Sequence, residues 1–316
     1  MTTIHNAARP PGRREFLGHL SAAVAAAVGL GADHAAGPAP VAAPLPVIAL
    51  GRHRISRLVA GWNPIGGHSH TTLDMARAMR EWFTVGRTAQ FLLDCERNGI
   101  SAWQCDHTDK AVEALRRARA RGCGLHVLCL HAERAFDAPL KTMIAETAPI
   151  AVVHHGGVTD ALFRAGRAGR VRDFVKKVKD CGLLAGVSSH CPDNVKRVAD
   201  AGWENDFFMT CFYYVTRPAE EQRRLLGKVV VGEPFFESDP AEMTAVMRQV
   251  GKPCLGFKIL AAGRSCWSAA EVEEAFRHAF ASVKPTDGLI VGLFPRYSDQ
   301  VAEDASLARK YGGARP

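Results

Sequence analysis

Short apolar runs alternate with longer amphipathic segments along most of the chain, from Arg57 onward. The apolar runs predict eight strands: RLVAGWNP, SAWQCD, LHVLCLH, IAVVHH, LLAGVSSH, DFFMTCFYYV, PCLGFKIL and GLIVGLFP. Strands that are apolar almost throughout indicate a parallel sheet buried on both faces. No G-x-G-x-x-G turn, as found in open doubly wound sheets, follows the first strand. We therefore predict an α/β fold, a closed (β/α)8 barrel (TIM barrel), as a single domain over residues 51–316.

One connection between predicted elements is longer than the others. Residues 216–238, TRPAEEQRRLLGKVVVGEPFFES, follow the sixth predicted strand. Long insertions after barrel strands are more often functional than those at the opposite end. We expect this segment to form a lid, with Glu233, Phe235 and Phe236 facing the pocket near Tyr213 and with EEQRR in solvent.

The first 50 residues differ from the rest in composition. Paired arginines at positions 13 and 14 precede an Ala-rich, weakly apolar run, residues 16–32, that contains no acidic residue. This pattern resembles a twin-arginine export signal and is too short and too polar to span a bilayer stably. We assign residues 1–36 to the signal peptide and residues 37–50 to a Pro/Ala-rich linker. We therefore expect the twin-arginine export machinery as a partner, a periplasmic or extracellular location, and no stable membrane span after processing.

Charge and cysteine content narrow the range of other partners. The formal net charge is +8 at pH 7, but basic residues alternate with acidic ones on predicted helices, as in FVKKVKD and AEEQRR. No nucleic-acid-binding motif occurs. The nine cysteines are odd in number and show no C-x-x-C spacing, so neither a disulfide framework nor a structural zinc site is expected. These features predict a small-molecule substrate and no nucleic acid.

Polar or ionisable side chains follow all eight predicted strands. In a (β/α)8 barrel these ends converge on one pocket. The candidates, in strand order, are Asn63, His68 and His70; Gln104, Asp106 and His107; His131 and Glu133; His154 and His155; Ser188, Ser189 and His190; Tyr213 and Tyr214; Lys258 and Arg264; and Arg296.

The residue types in this set predict acid–base or metal-assisted chemistry. We assign catalytic roles to His155, His190, Glu133 as base, and Lys258, which would stabilise negative charge, act as a base or form a Schiff base. The expected substrate-binding residues are Asn63, His70, Gln104, His154, Tyr213, Arg264 and Arg296. As an alternative, His131, His155 and His190 would bind a divalent metal ion such as Zn²⁺, Mn²⁺ or Fe²⁺.

Three segments resemble the aldo/keto reductase superfamily: ERNGISAWQ, LLAGVSSHCPDNVKRVADAG and GLFPRYSDQVAED. The resemblance implies the barrel fold and places NADPH phosphate groups near Arg296 and Ser298. The resemblance does not extend to the family's catalytic residues, which are an Asp, a Tyr, a Lys and a His. Gln104 occupies the position of the family's catalytic Asp, and no Tyr follows in CDHTDKAVEAL. The Lys position falls near Leu130 or His131, and only the strand-four histidine is retained, as His154 or His155.

Taken together, these observations predict an exported TIM-barrel enzyme for a small polar, carbohydrate-like or hydroxy-acid substrate. The chemistry would be that of a lyase, isomerase or hydrolase. One alternative is an NAD(P)-dependent oxidoreductase, with NADP as the less expected cofactor. The other is a non-catalytic barrel that binds a ligand in its pocket.

Overall fold

The computed structural model describes residues 44–313 and shows a closed barrel of eight parallel strands. The strands are β1 (Val47–Leu50), β2 (His53–Ser56), β3 (Leu58–Gly61), β4 (Ala102–Asp106), β5 (His126–His131), β6 (Ala151–His154), β7 (Leu184–Ser189), β8 (Phe207–Cys211), β9 (Cys254–Phe257) and β10 (Gly288–Gly292). Strands β3 to β10 follow one another around the barrel, and β10 pairs with β3 to close it. The predicted (β/α)8 barrel is confirmed.

Helices surround the barrel. They are α1 (Asn63–Gly66), α2 (Leu73–Trp82), α3 (Val85–Arg97), α4 (Asp109–Arg119), α5 (Leu140–Thr147), α6 (Gly156–Arg164), α7 (Gly169–Asp180), α8 (Pro192–Asp200), α9 (Ala219–Leu226), α10 (Asp239–Gln249), α11 (Ala269–Ser282) and α12 (Gln300–Tyr311). No helix within residues 44–313 is long and apolar enough to cross a membrane.

Each barrel strand contributes apolar side chains to two separate clusters, because successive residues point to opposite faces. Val59, Val153 and Ile290 belong to the cluster that fills the barrel interior. Trp103 and Phe208 belong to the larger cluster between the strands and the helices. The interior is therefore packed, and ligands have access to the barrel only at its ends.

An antiparallel hairpin, β1–β2, precedes the barrel. Ile48, Leu50 and Ile55 are buried and join the interior cluster at the amino ends of the strands. Residues 47–50, which we had assigned to the linker, therefore form part of the folded domain. The predicted signal peptide lies outside the described residues.

The opposite end, formed by the carboxyl ends of β3–β10, is called the mouth below. Non-glycine residues with positive φ are concentrated there: His70, Glu133, Lys258, Ala261 and Ala262, at 48° to 62°. Such conformations are unfavourable for residues with a Cβ and persist only where surrounding contacts hold them. The mouth loops are thus held in specific, strained conformations.

Candidate active site

The best-defined polar contact at the mouth joins Asp160 to His190. Asp160 projects from α6, and His190 directly follows β7. His190 Nδ1 lies 2.8 Å from Asp160 Oδ2, and the backbone N–H of His190 donates to the same oxygen at 3.1 Å. Because a carboxylate only accepts hydrogen bonds, Nδ1 carries the proton and Nε2 is the nitrogen left for a ligand.

Three further side chains hold the Asp160 carboxylate in place. Ser189 Oγ donates to it at 2.5 Å, Asn194 Nδ2 at 3.0 Å and Thr216 Oγ1 at 2.9 Å. Burial by itself would raise the pKa of Asp160, but the hydrogen bond and charge of His190 and the bond from Ser189 lower it instead. Asp160 is therefore a fixed, ionised partner that orients the His190 ring.

Sequence reasoning missed Asp160. The signal that would have found it is local: in GGVTDALF, at the start of α6, it is the only charged residue. A carboxylate that is 3% exposed in such a segment requires hydrogen-bond donors from elsewhere in the fold. Those donors come from the end of β7, which sequence alone does not place beside α6.

Four buried polar atoms at or over the mouth have no hydrogen-bond partner among the described residues. They are Gln104 Nε2, Asp106 Oδ1, His155 Nδ1 and Glu233 Oε2. Buried polar atoms are nearly always paired with protein or water, so such a group of exceptions marks a place where a polar ligand or ordered water binds. Two of the four atoms belong to predicted site residues, Gln104 and His155, and the other two are carboxyl oxygens.

Burial and nearby charges shift the pKa values of His155 and Asp106. Burial lowers the pKa of His155 to about 4, and the nearby charges of Arg134 and His190 act in the same direction. His155 is therefore neutral at pH 7 and available as a hydrogen-bond donor or acceptor. Burial raises the pKa of Asp106, against the attraction of Arg134 and His68.

The inserted segment 216–238 reaches the mouth through Glu233. Glu233 Oε1 lies 2.9 Å from His70 Nδ1, and His70 Nε2 lies 3.1 Å from Asn63 Nδ2. The carboxylate fixes the proton on Nδ1, so Nε2 accepts from the Asn63 amide. Residues 63 and 70, which we had predicted to bind substrate, therefore connect the loop after β3 to the insertion.

Phe235 continues this contact. Its ring lies 5.1 Å from that of Tyr213 and 3.9 Å beneath the Arg264 guanidinium. Arg264 also donates to the backbone oxygen of His70 at 3.3 Å. The expected approach of Phe235 to Tyr213 is observed, whereas Glu233 contacts His70 and Phe236 packs under Arg217.

Lys258 follows β9 at the mouth, with φ of 62°. Burial lowers the pKa of its ammonium group, and the nearby Cys211 and Glu233 oppose that shift. The charge of Lys258 in turn contributes to a lowered pKa of His68, where burial is the main cause. Lys258 and Glu233 are thus close enough at the mouth for their charges to interact, although no hydrogen bond joins them.

His131 and His154 do not reach the mouth, although the predicted site included both. His131 Nε2 donates to the Ala138 oxygen at 2.9 Å, and its Nδ1 accepts from the Glu133 backbone at 3.3 Å. His154 Nδ1 lies 2.7 Å from Thr159 Oγ1. Both rings pack against Phe174 of α7, on the outside of the barrel. Side chains on adjacent strands in register share a face, which explains why the two histidines lie together.

The structure therefore does not assemble His131, His155 and His190 as ligands for one metal ion. Both ring nitrogens of His131 are already used. Within residues 44–313, no group of three or more His, Cys, Asp and Glu side chains is arranged to hold a metal ion.

Glu133 and Arg296 also lie apart from the Asp160–His190 pair. Glu133 is exposed and pairs with Lys177 of α7 at 2.6 Å, so it is not placed as a base at the mouth. Arg296 lies over Tyr297 and lines a separate groove of about 730 Å³ beyond β10. The positive φ of Glu133 turns the chain outward directly after β5, and no sequence pattern signals this turn.

Comparisons with known proteins show a similarity of fold but no match in sequence. No family model and no curated protein matches the sequence. Among solved structures, apo Gox0644 has a TM-score of 0.51 at 11% identity, covering 87% of this chain and 97% of that one. A variant of Gox0644 in complex with NADPH also scores 0.51, at 12% identity, covering 84% and 88%. A glycerol dehydrogenase from Gluconobacter oxydans scores 0.48 at 10% identity, covering 83% and 90%.

Proposed function

We propose that this protein is an enzyme that acts by acid–base catalysis on a small, hydroxyl-rich, carbohydrate-like substrate held at the mouth. In this proposal His190 is the general base, Asp160 positions it, and Lys258 stabilises negative charge that develops on the substrate. The observation that carries the proposal is the buried Asp160–His190 pair at a mouth where four polar atoms lack partners.

The unpaired atoms favour a neutral substrate over a hydroxy acid. Glu233 Oε2 has no hydrogen-bond donor, and Asp106 Oδ1 has only a long ion pair, 3.6 Å from Arg134; the hydroxyl groups of a sugar would supply donors to both oxygens. A substrate carboxylate would meet like charge at Glu233, whose pKa is lowered by the hydrogen bond from His70 even though burial opposes this. Gln104 Nε2 offers a donor to an ether or hydroxyl oxygen of the same substrate.

The arrangement suits removal of a proton from carbon next to a carbonyl group. His190 Nε2 accepts the proton, the C–H electron pair enters the carbonyl, and the resulting enolate oxygen is stabilised by the Lys258 ammonium. Return of a proton to carbon gives an isomer, whereas expulsion of a neighbouring leaving group gives a lyase product. For hydrolysis, the same nitrogen would take a proton from water.

This proposal is tested by proton NMR in D2O with a panel of neutral ketoses, ketoglycosides and glycosides, beside the corresponding sugar acids. We expect product formation or exchange of a carbon-bound hydrogen for deuterium, preferentially in the neutral compounds. His190→Ala should lower the rate by about 10²- to 10⁴-fold, and Asp160→Asn should lower kcat more than it raises KM. His278→Ala, at an exposed position of α11 where the ring contacts Ser282, is the matched control.

Two results would contradict the acid–base proposal. Full activity in His190→Ala would remove the assigned base. Ligand binding without turnover, unaffected by His190→Ala, would instead favour the non-catalytic ligand-binding barrel.

An NADP-dependent oxidoreductase is a second candidate, favoured by the groove beyond β10. Arg87, Arg296 and Ser298 line it and would suit the phosphate groups of NADPH, although Asp299 and an Arg97–Asp94 ion pair line it as well. The cofactor would supply hydride, but the position of the family's strand-three lysine falls near the outward-facing His131. Fluorescence titration with NADPH and NADH tests the oxidoreductase hypothesis. Absence of binding of both cofactors at millimolar concentration would contradict it.

We further propose that the protein is exported by the twin-arginine route and acts in the periplasm or outside the cell. The support is the Arg13–Arg14 pair and the weakly apolar run over residues 16–32, which contains no acidic residue. An export route for folded proteins is compatible with the buried, unpaired state of seven of the nine cysteines.

A further inference from the structure

Lys258 carries a half-buried amine that no other side chain at the mouth binds. Within residues 44–313 the other half-buried lysines all donate hydrogen bonds to carbonyl or carboxylate oxygens; they are Lys110, Lys179, Lys252 and Lys284. Lys258 Nζ makes neither a hydrogen bond nor an ion pair within this part of the chain. Because burying an ammonium group without partners is unfavourable, this amine requires a ligand from outside the chain or loses its proton.

The backbone directs the Lys258 amine to the mouth. Side chains alternate along β9, with Cys254 toward the helices and Leu255 toward the barrel interior. Continued alternation would place Lys258 on the helix side. Its φ of 62° breaks this pattern, and its charge acts on Glu233 and His68 at the mouth. A positive φ at a residue with a Cβ persists only where surrounding contacts hold it, and such strained residues are concentrated at functional sites.

The proposed base belongs to the same group of side chains. The ring of Phe257, the residue before Lys258, lies 5.5 Å from the ring of His190. Burial by itself would raise the pKa of Glu233, but the hydrogen bond and charge of His70 lower it. The charges of Lys258 and His190 act in the same direction, so both groups lie near this carboxylate. A substrate bound to Lys258 Nζ is therefore held in the part of the mouth that contains the proposed base.

Burial also makes the Lys258 amine easier to deprotonate. Burial lowers its pKa, and the charges of Cys211 and Glu233 oppose this shift without cancelling it. The pKa of the Cys211 thiol is itself raised by burial to about 12, so this group is uncharged at pH 7. Glu233 is in turn engaged by His70. These surroundings favour a nucleophilic amine, because only the neutral form of lysine has a free electron pair with which to attack carbon.

We infer that Lys258 forms a covalent imine with an aldehyde or ketone group of the substrate. This inference rests on the proposed function, and it replaces the ionic contact between Lys258 and the enolate by a covalent bond. The substrate class is narrowed accordingly to hydroxylated compounds with a free carbonyl group, such as open-chain sugars. Glycosides that lack a free carbonyl group are excluded.

The steps balance in atoms and charge. The amine nitrogen attacks the carbonyl carbon and passes a proton to the oxygen, which gives a carbinolamine. The carbinolamine hydroxyl takes a proton from solvent and leaves as water, so that a positively charged iminium forms. His190 Nε2 then removes a proton from the neighbouring carbon, and the C–H electron pair forms a C=C bond while the C=N π electrons return to nitrogen. Return of the proton to carbon and addition of water release the product, one proton and the amine.

The test is reductive trapping of the full chain with dihydroxyacetone or glycolaldehyde and sodium cyanoborohydride, followed by peptide mass spectrometry. The reagent supplies hydride to the iminium carbon and leaves a stable secondary amine on the lysine. We expect Lys258 to be modified at least about 10-fold faster than the exposed Lys141, because a lysine in water is almost wholly protonated at pH 7. Lys141→Arg is the matched control and should leave the rate at Lys258 unchanged.

Two variants separate this inference from the proposed function. Lys258→Arg retains the positive charge but cannot form an imine, so exchange of carbon-bound hydrogen should fall at least about 10²-fold. His190→Ala should still form the adduct at Lys258 while losing exchange. An adduct at Lys258 without any exchange in the wild type would support the imine and contradict the acid–base proposal.

Two results would overturn the imine. One is labelling of Lys258 no faster than that of Lys141, a comparison made within the wild-type chain that does not depend on the folding of any variant. The other is exchange at the wild-type rate in Lys258→Arg, which would show that positive charge alone is sufficient and would leave the acid–base proposal intact.

Discussion

His154 and His155 are adjacent in the chain but have opposite surroundings. The His154 ring packs outside the barrel against Phe174 and bonds to Thr159, whereas His155 Nδ1 is buried near His190 without a partner. The difference follows from the end of β6, where successive side chains point to opposite faces. Of the two, His155 is the one placed for chemistry, and His154 serves the packing of α6 and α7.

The burial of His154 predicts a pH-dependent stability. Burial lowers its pKa to about 3, so between that value and 6.5 the unfolded chain binds more protons than the folded one. The stability contributed by neutral His154 is therefore complete above pH 6.5 and is lost as the pH falls. Between pH 6.5 and 4.5 the free energy of unfolding should drop by about 2–3 kcal/mol from this residue.

Urea unfolding of the wild type and His154→Gln at both pH values measures this contribution. The variant should lose less stability on acidification, and the difference between the two proteins isolates His154 from other titrating groups. An equal loss in both proteins would mean that His154 is protonated in the folded state without cost.

His131→Ala should reduce stability without reducing catalysis. The substitution leaves the Ala138 oxygen and the Glu133 N–H without a partner and removes a ring stacked on Phe174, at a cost of about 2–3 kcal/mol. Activity per folded molecule should stay near the wild-type value. His155→Ala should show the reverse, with lowered activity and little change in the denaturation midpoint. Joint loss of activity and of a bound metal in His131→Ala would instead restore the metal-site hypothesis.

At the scale of elements, the start of α6 fixes the position of the proposed base. A Cβ at Gly156 would lie 2.8 Å from Ser188 Oγ, closer than real contacts allow, and 3.0 Å from His190 Cε1, which is tighter than most real contacts. The absence of a side chain at this position lets α6 approach β7 and brings Asp160 within reach of His190.

Gly156→Ala should therefore displace the His190 ring and lower kcat by roughly 10²-fold. Its cost in stability should be about 1–3 kcal/mol, since the neighbouring side chains shift to relieve the overlap. Gly169→Ala, at the start of α7 where a Cβ meets nothing within 4 Å, is the control and should leave activity unchanged. Unchanged activity in Gly156→Ala would show that the ring position is not critical.

At the scale of the whole molecule, the barrel joins a closed amino end to an open mouth. The β1–β2 hairpin covers the amino ends of the strands with Ile48, Leu50 and Ile55. The polar and strained residues gather at the other end. This asymmetry directs any ligand to the mouth, as the carboxyl-end loops do in other barrels.

The export proposal makes a prediction at this scale. Replacing Arg13 and Arg14 by lysine retains the charge but removes the guanidinium groups that define the signal, so export should fall strongly. Cell fractionation should then show the protein in the cytoplasm, and co-expression with the wild-type chain serves as the control. Continued export of the Lys–Lys variant, at the wild-type level, would contradict the twin-arginine assignment.

The barrel was predictable from sequence because its determinants are local and periodic. Eight apolar runs, each followed by a helix start such as the Ser268 cap of α11, predict parallel strands without knowledge of any long-range contact. Topology then places the strand ends at one mouth, and this was enough to nominate His155, His190 and Lys258. The prediction that Glu133 lies in the pocket was wrong because the chain adopts a positive φ at this residue and the side chain points outward. The periodicity of apolar residues does not encode a single dihedral angle.

What only the tertiary structure decided is which polar groups meet at the mouth. Asp160 and His190 are 30 residues apart, and His70 and Glu233 are 163 apart. Each pairing depends on the packing of α6 on β7 or of the insertion across the mouth. Hydrogen bonds act over about 3 Å, so a shift of one helix by that distance would remove them while leaving the hydrophobic pattern unchanged. The sequence by itself therefore determined the barrel and the end at which polar side chains gather, and the packing of its elements decided which of these side chains contact one another.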